Sequence, residues 1–154
     1  MIADLNAGIN ITDTLEQILI STDGRIDKFD IIADRMMADY VRSIQVAPGG
    51  IVTDIYPAEG NEAGKIDLIH DKYRGETVKY SIANDALIIH GPFELEQGGH
   101  VLSIRNPVFL QDEKGTPYFW GMTMVIIKVP DIFQHSADAL TNFGYQYRLS
   151  LIHI

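Results

Sequence analysis

Phe119-Trp120-Gly121-Met122-Thr123-Met124-Val125-Ile126-Ile127-Lys128-Val129 is the stretch whose reading decides the fold. It is apolar at both parities of a two-residue repeat and β-branched in its second half. That pattern predicts a central strand covered on both faces. Such a strand needs a partner on each side. Val101–Leu110 reads as one, joined to it through the turn Asp112-Glu113-Lys114-Gly115. Leu87–His90 is a further short strand that runs into Gly91-Pro92. Upstream, Ser43–Val46 and Ile51–Tyr56 form a hairpin around Ala47-Pro48-Gly49-Gly50. Between these groups, Asp71–Asn84 reads as a helix, weakened by Gly75. Downstream, Pro130 opens a helix over Asp131–Leu140, and Tyr145–Arg148 begins another strand.

Two helices precede the strands. Over Asp4–Ile20, the residues Ala7, Ile11, Leu15 and Ile18 share one face by their 3-and-4 spacing. Gly8 weakens the first turns, so a start later than Asp4 is expected. This narrow seam suits either the domain itself or a second copy of the helix. A second helix, Asp27–Val41, carries the stripe Phe29, Ile32, Ala33, Met36 and Tyr40, which reads as core. Helices packed on an antiparallel sheet make this an α+β chain. One sheet face is expected under the helix pair. The other is expected under loops and the short helix, where small-molecule pockets form.

Composition narrows the function. The chain has 154 residues, with 12 Lys plus Arg against 21 Asp plus Glu and a formal net charge of −9. That length suits one domain with a real core. The acidic balance argues against nucleic acid and against anchoring on anionic lipid. There is no cysteine. Thiol catalysis, disulfides and thiolate metal sites are therefore excluded. No run of about 18 apolar residues occurs, so no helical membrane span is expected.

Catalytic patterns are weak. Ser103 with His90 or His100 is the single conceivable nucleophile–base pairing, and no G-x-S-x-G elbow is present. The five histidines are scattered without metal-ligand spacing. Gly98-Gly99 reads as a turn. No catalytic residue, metal site or cofactor is expected. What remains is a polar minority on apolar strands. Ser103 and Arg105 share one face of their strand, while Leu102 and Ile104 share the other. Asp54 and Tyr56 share a face of theirs. The plain reading of Arg105 is a structural partner for one of the many acids. The sharper reading is a group set in a pocket to meet an anion.

Four spaced pieces, in order, carry a resemblance. Ile55-Tyr56-Pro57-Ala58-Glu59-Gly60-Asn61-Glu62 comes first, then Gly91-Pro92-Phe93-Glu94-Leu95-Glu96-Gln97-Gly98-Gly99. Arg105-Asn106-Pro107-Val108-Phe109 and Phe119-Trp120-Gly121 follow. Together they resemble the CHASE sensor family over about Ser43 to Phe133. The resemblance implies an extracytoplasmic, PAS-like antiparallel sheet packed on a long N-terminal helix. Such domains belong to membrane receptors whose cytoplasmic output is a histidine kinase or diguanylate cyclase. The cytokinin receptors of plants use the same module. The sensor domain itself is not an enzyme. Matching pocket positions are His90, Phe93, Ser103, Arg105, Phe119 and Gly121, with Tyr56 from the upstream piece; Asp54, on the same strand, joins them by direction.

The expected organisation is a helical stalk and second helix over 1–42, a sensor core over 43–148 and a non-native tail over 149–154. Leu149-Ser150-Leu151-Ile152-His153-Ile154 can be encoded by a transposon end used in sequencing libraries, so truncation of the fold at its C-terminus is expected. The expected partners are a small-molecule ligand and a second copy through the N-terminal helix. The expected location is the periplasmic or extracellular face of the cell membrane, in a membrane-anchored parent protein. Two other classes compete. A structural dimerisation module would pack its sheet face solid, and a hydrolase would join Ser103 to a histidine.

Overall fold

A computed structural model describes residues 2–58, 66–95 and 98–130. The expected helix at Asp131–Leu140, the strand at Tyr145–Arg148 and the tail lie outside the described residues. Helix α1, Ile2–Thr22, is followed by α2, Phe29–Met36. Strands β1, Val41–Pro48, and β2, Asp54–Tyr56, come next, then helix α3, Gly75–Asn84. The chain continues through β3, Ile88–Glu94, β4, His100–Gln111, and β5, Pro117–Val129. These five strands form one antiparallel sheet in the order β2-β1-β5-β4-β3. The α+β architecture expected from the sequence is therefore present, with the strand apolar on both faces at its centre.

Helix α1 lies on the first face of that sheet. Gly8, Ile11, Thr12, Leu15 and Leu19 are its buried residues, a 3-and-4 repeat along one side. Ile11 and Leu15 pack with Leu102, Ile104, Val125 and Ile127 from the sheet and with Phe29 and Ala33 of α2. Gly8 does not delay the helix, contrary to expectation. A Cβ there would sit 2.5 Å from Ile127 Cδ1 and 2.7 Å from Ile104 Cδ1, so its bare backbone lets α1 rest directly on β4 and β5. Contact with the sheet outweighs the weak helix preference of glycine. Of the seam expected to serve either the domain or a second copy, Ile11 and Leu15 are buried inside the domain, while Ala7 and Ile18 stay partly exposed.

The second helix is shorter than its apolar stripe implied. It ends at Met36, and Met37 is already extended. Val41 pairs with Ile127 in the sheet, and that pairing claims the last turn. On the second sheet face, Ala47, Val52, Ile55, Leu68, Val78, Met122 and Met124 form a smaller apolar cluster. Residues 66–69 and α3 cover it, with Val78 of the helix fully buried. One face thus carries two helices, and the other carries a short helix and a loop.

Candidate functional site

The antiparallel register builds the second face in rows. Ser43, Ile126, Ser103 and His90 lie side by side across β1, β5, β4 and β3. Gln45, Met124, Arg105 and Ile88 form the adjacent row. Where α3 and the loop do not reach down to these rows, a cavity of about 410 Å³ remains. Ile66, Leu68 and Arg74 line it from the covering side, and Phe93 and Leu95 from the end of β3. Its size is that of a small-molecule site, and its wall is divided about evenly between apolar residues and polar or charged ones, Arg42, Arg74, Glu94 and Arg105 among them.

Arg105 carries the chemistry of that wall. It is only 2% exposed. Its Nη1 donates to Thr77 Oγ1 at 3.2 Å and to His90 Nδ1 at 3.0 Å. A guanidinium has no acceptor, so the His90 nitrogen must accept, and the proton of this neutral ring then sits on Nε2. Arg105 Nε is buried without a hydrogen-bond partner. Burial, reinforced by the Arg74 cation and opposed by Asp71, pulls the guanidinium down to about 10. It stays charged at neutral pH. Asp71 is committed elsewhere. Its Oδ1 accepts from the Tyr73 and Arg74 amides, and its Oδ2 from Arg74 Nη1 at 3.1 Å. Burial raises the Asp71 carboxyl, but those amide bonds and the two arginine charges hold it below the usual range.

The sequence-predicted residues divide. Phe93, Ser103 and Arg105 line the cavity. His90 joins them through Arg105, and its ring meets Phe93 edge-on with centroids 4.8 Å apart. Phe119 packs at the apolar cluster of the same face and edge-on to Phe109, away from the cavity lining. Gly121 marks a close approach of strands, since a Cβ there would lie 2.3 Å from the Ala47 carbonyl oxygen. Asp54 and Tyr56 are not brought to the cavity. Ile55 pairs with Gln45 of the cavity face, so Tyr56, opposite Ile44, turns to the α1 face. There its hydroxyl donates to Asp34 of α2. Asp54 is exposed at the sheet edge and accepts from Thr53 Oγ1 at 3.0 Å.

The lining residues that sequence reasoning missed are chiefly Ser43, Gln45, Arg42 and Arg74. Ser43 and Gln45 alternate with Ile44 and Val46, so strand parity carried their signal. Gln45 Nε2 donates to Ser43 Oγ at 3.0 Å. Arg74 arrives from the turn before α3, a placement that only tertiary structure decides. A second cavity, about 310 Å³, lies between α1 and β4 beside Asp13, Glu16, Asp85 and Asn106. There Asn106 Nδ2 already donates to Glu16 Oε1 at 3.0 Å. Among the described residues no group of three or more His, Asp or Glu could hold a metal ion, and no helix is long and apolar enough to cross a membrane.

No family model matches the chain, and no curated protein does. Among solved structures, an extracellular ligand binding receptor from Desulfohalobium retbaense is similar, with a TM-score of 0.62 at 17% identity. The match covers 86% of this chain but 24% of that one, so the present chain spans about a quarter of the receptor's length. At that identity the likeness is one of fold: a long helix on a five-stranded antiparallel sheet.

Proposed function

We propose that this chain is the small-molecule-sensing domain of an extracytoplasmic, membrane-anchored receptor, of the kind the CHASE resemblance implies. The observation that carries the reading is the cavity on the second sheet face, walled by a buried arginine with an unbonded donor. The fold shared with an extracellular ligand binding receptor supports it. A purely structural module is expected to pack this face with its own side chains, as the α1 face is packed. The Ser103–His90 pairing of the hydrolase reading is disfavoured by the hydrogen bond that His90 makes. With Nδ1 accepting from Arg105, neither nitrogen of the neutral ring offers Ser103 a free lone pair.

The route from cavity to helix is short. Asn106 and Thr123 each lie one residue along their strand from a cavity residue, Arg105 or Met124, and face α1. Thr123 Oγ1 donates to the Thr12 carbonyl at 3.0 Å, and Asn106 reaches Glu16. A ligand that prefers one arrangement of β4 and β5 shifts α1 through these bonds, and the parent's output reads the helix. The test is a thermal-shift screen of metabolites against this chain. A ligand raises the melting temperature with concentration, and Ile126→Trp, which fills the cavity, removes the effect. A shift that survives Ile126→Trp places binding elsewhere and contradicts the reading.

A further inference from the structure

We propose that the cavity takes a small organic acid, with one carboxylate set on the Nε and Nη2 edge of Arg105 and an apolar body against Phe93, Val101, Met124 and Ile126. This rests on the sensing reading above and names its ligand class. Both hydrogen bonds of the guanidinium leave from Nη1, to Thr77 and His90. The edge that remains, Nε with Nη2, presents two adjacent N–H groups that match the two oxygens of a carboxylate. Nε is unbonded on that edge and covered by neighbouring side chains, so a carboxylate seated there displaces them.

The neutrality of the present partners matters as much as their geometry. A hydroxyl and a neutral imidazole satisfy donors but supply no counter-charge. Asp71 is near enough to act through space, yet its two oxygens are held by Arg74 and two backbone amides. A buried cation without a bonded counter-ion costs stability. In a cavity wall, that arrangement fits a charge kept for a ligand. The rest of the lining supplies Ser43, Gln45 and Ser103 as neutral hydrogen-bonding groups among apolar ones, and Arg42 and Arg74 add positive charge that favours an anion. Glu94, also in the lining and exposed, offsets part of that positive charge.

The experiment uses this chain with matched pairs: butyrate and butyramide, benzoate and benzamide, phenylacetate and phenylacetamide. Adenine and inorganic phosphate complete the set. Binding is read by thermal shift and calorimetry. An acid is expected to bind at least about tenfold more tightly than its amide, the ratio that about 1.4 kcal/mol supplies. Phosphate, lacking the apolar body, is expected to give no shift. Arg105→Met is expected to raise the melting temperature of the ligand-free protein and to abolish the acid's effect. Arg105→Lys keeps a cation without the forked edge and is expected to weaken the acid severalfold or more.

Equal binding of acid and amide, or an acid effect that persists in Arg105→Met, overturns the proposal. So does an Arg105→Met protein that melts lower than the wild type or fails to fold, since the arginine is then a structural strut. If adenine or another uncharged metabolite binds at the cavity and no acid does, the carboxylate is wrong while sensing stands. If a broad metabolite screen moves nothing, both fall together.

Discussion

Glu16 sits half-buried between α1 and β4, its Oε1 accepting from Asn106. Burial raises its carboxyl above the ordinary 4.5, Asp13 and Asp85 add to the rise, and the Asn106 bond opposes it. A carboxyl raised in the folded state favours folding while protonated. That advantage is lost as pH climbs from the unfolded value through the folded one. Glu16→Gln keeps an acceptor for Asn106 without the charge. Its melting temperature is expected to exceed that of the wild type near about pH 7 and to converge with it near about pH 4. Melting curves across that range check the sign. Thr123 is the second informative residue. Thr123→Val removes the donor to the buried Thr12 carbonyl, and a loss of about 1 kcal/mol is expected in urea unfolding with an unchanged slope. Arg105 was legible as a candidate because its strand alternates cleanly. Its lack of an acidic partner was not, since that depends on where α3 and the turn at Asp71 settle.

Among the elements, α1 and the sheet make the contact that defines the domain. Gly8→Val forces a branched side chain into Ile104 and Ile127 and is expected to cost about 1–3 kcal/mol. Leu15→Ala leaves a cavity under the fully buried centre of the same helix and is expected to cost about 2–5 kcal/mol. Chemical denaturation measures both. Strand identity and strand faces were largely readable beforehand. Period two separated Ser103 and Arg105 from Leu102 and Ile104, and the doubly apolar stretch Phe119–Val129 took the sheet centre. The three-residue β2 shows where such reading stops. Its parity was right, with Asp54 and Tyr56 opposed to Ile55, but parity cannot say which side meets the cavity. The pairing of Ile55 with Gln45 decides that, and it is set by a turn and by a partner strand far along the chain. Gly8 misled for the same reason, because helix preference is local and the surface it fits is not.

For the molecule as a whole, the division of labour between the two sheet faces is the functional statement. One face is packed under α1 and α2; the other, under α3 and a loop, leaves a half-open cavity with a buried positive charge. Backbone amide chemical-shift mapping tests this most directly. The protein is titrated with whichever metabolite raises its melting temperature most. The largest perturbations are expected at Ser43–Gln45, Ser103–Arg105 and Met124–Ile126, with smaller ones at Thr12 and Glu16 of α1. Perturbations confined to α1 and the acidic cavity at Asp13 and Asp85, with the rows of β1, β4 and β5 unmoved, would contradict the account.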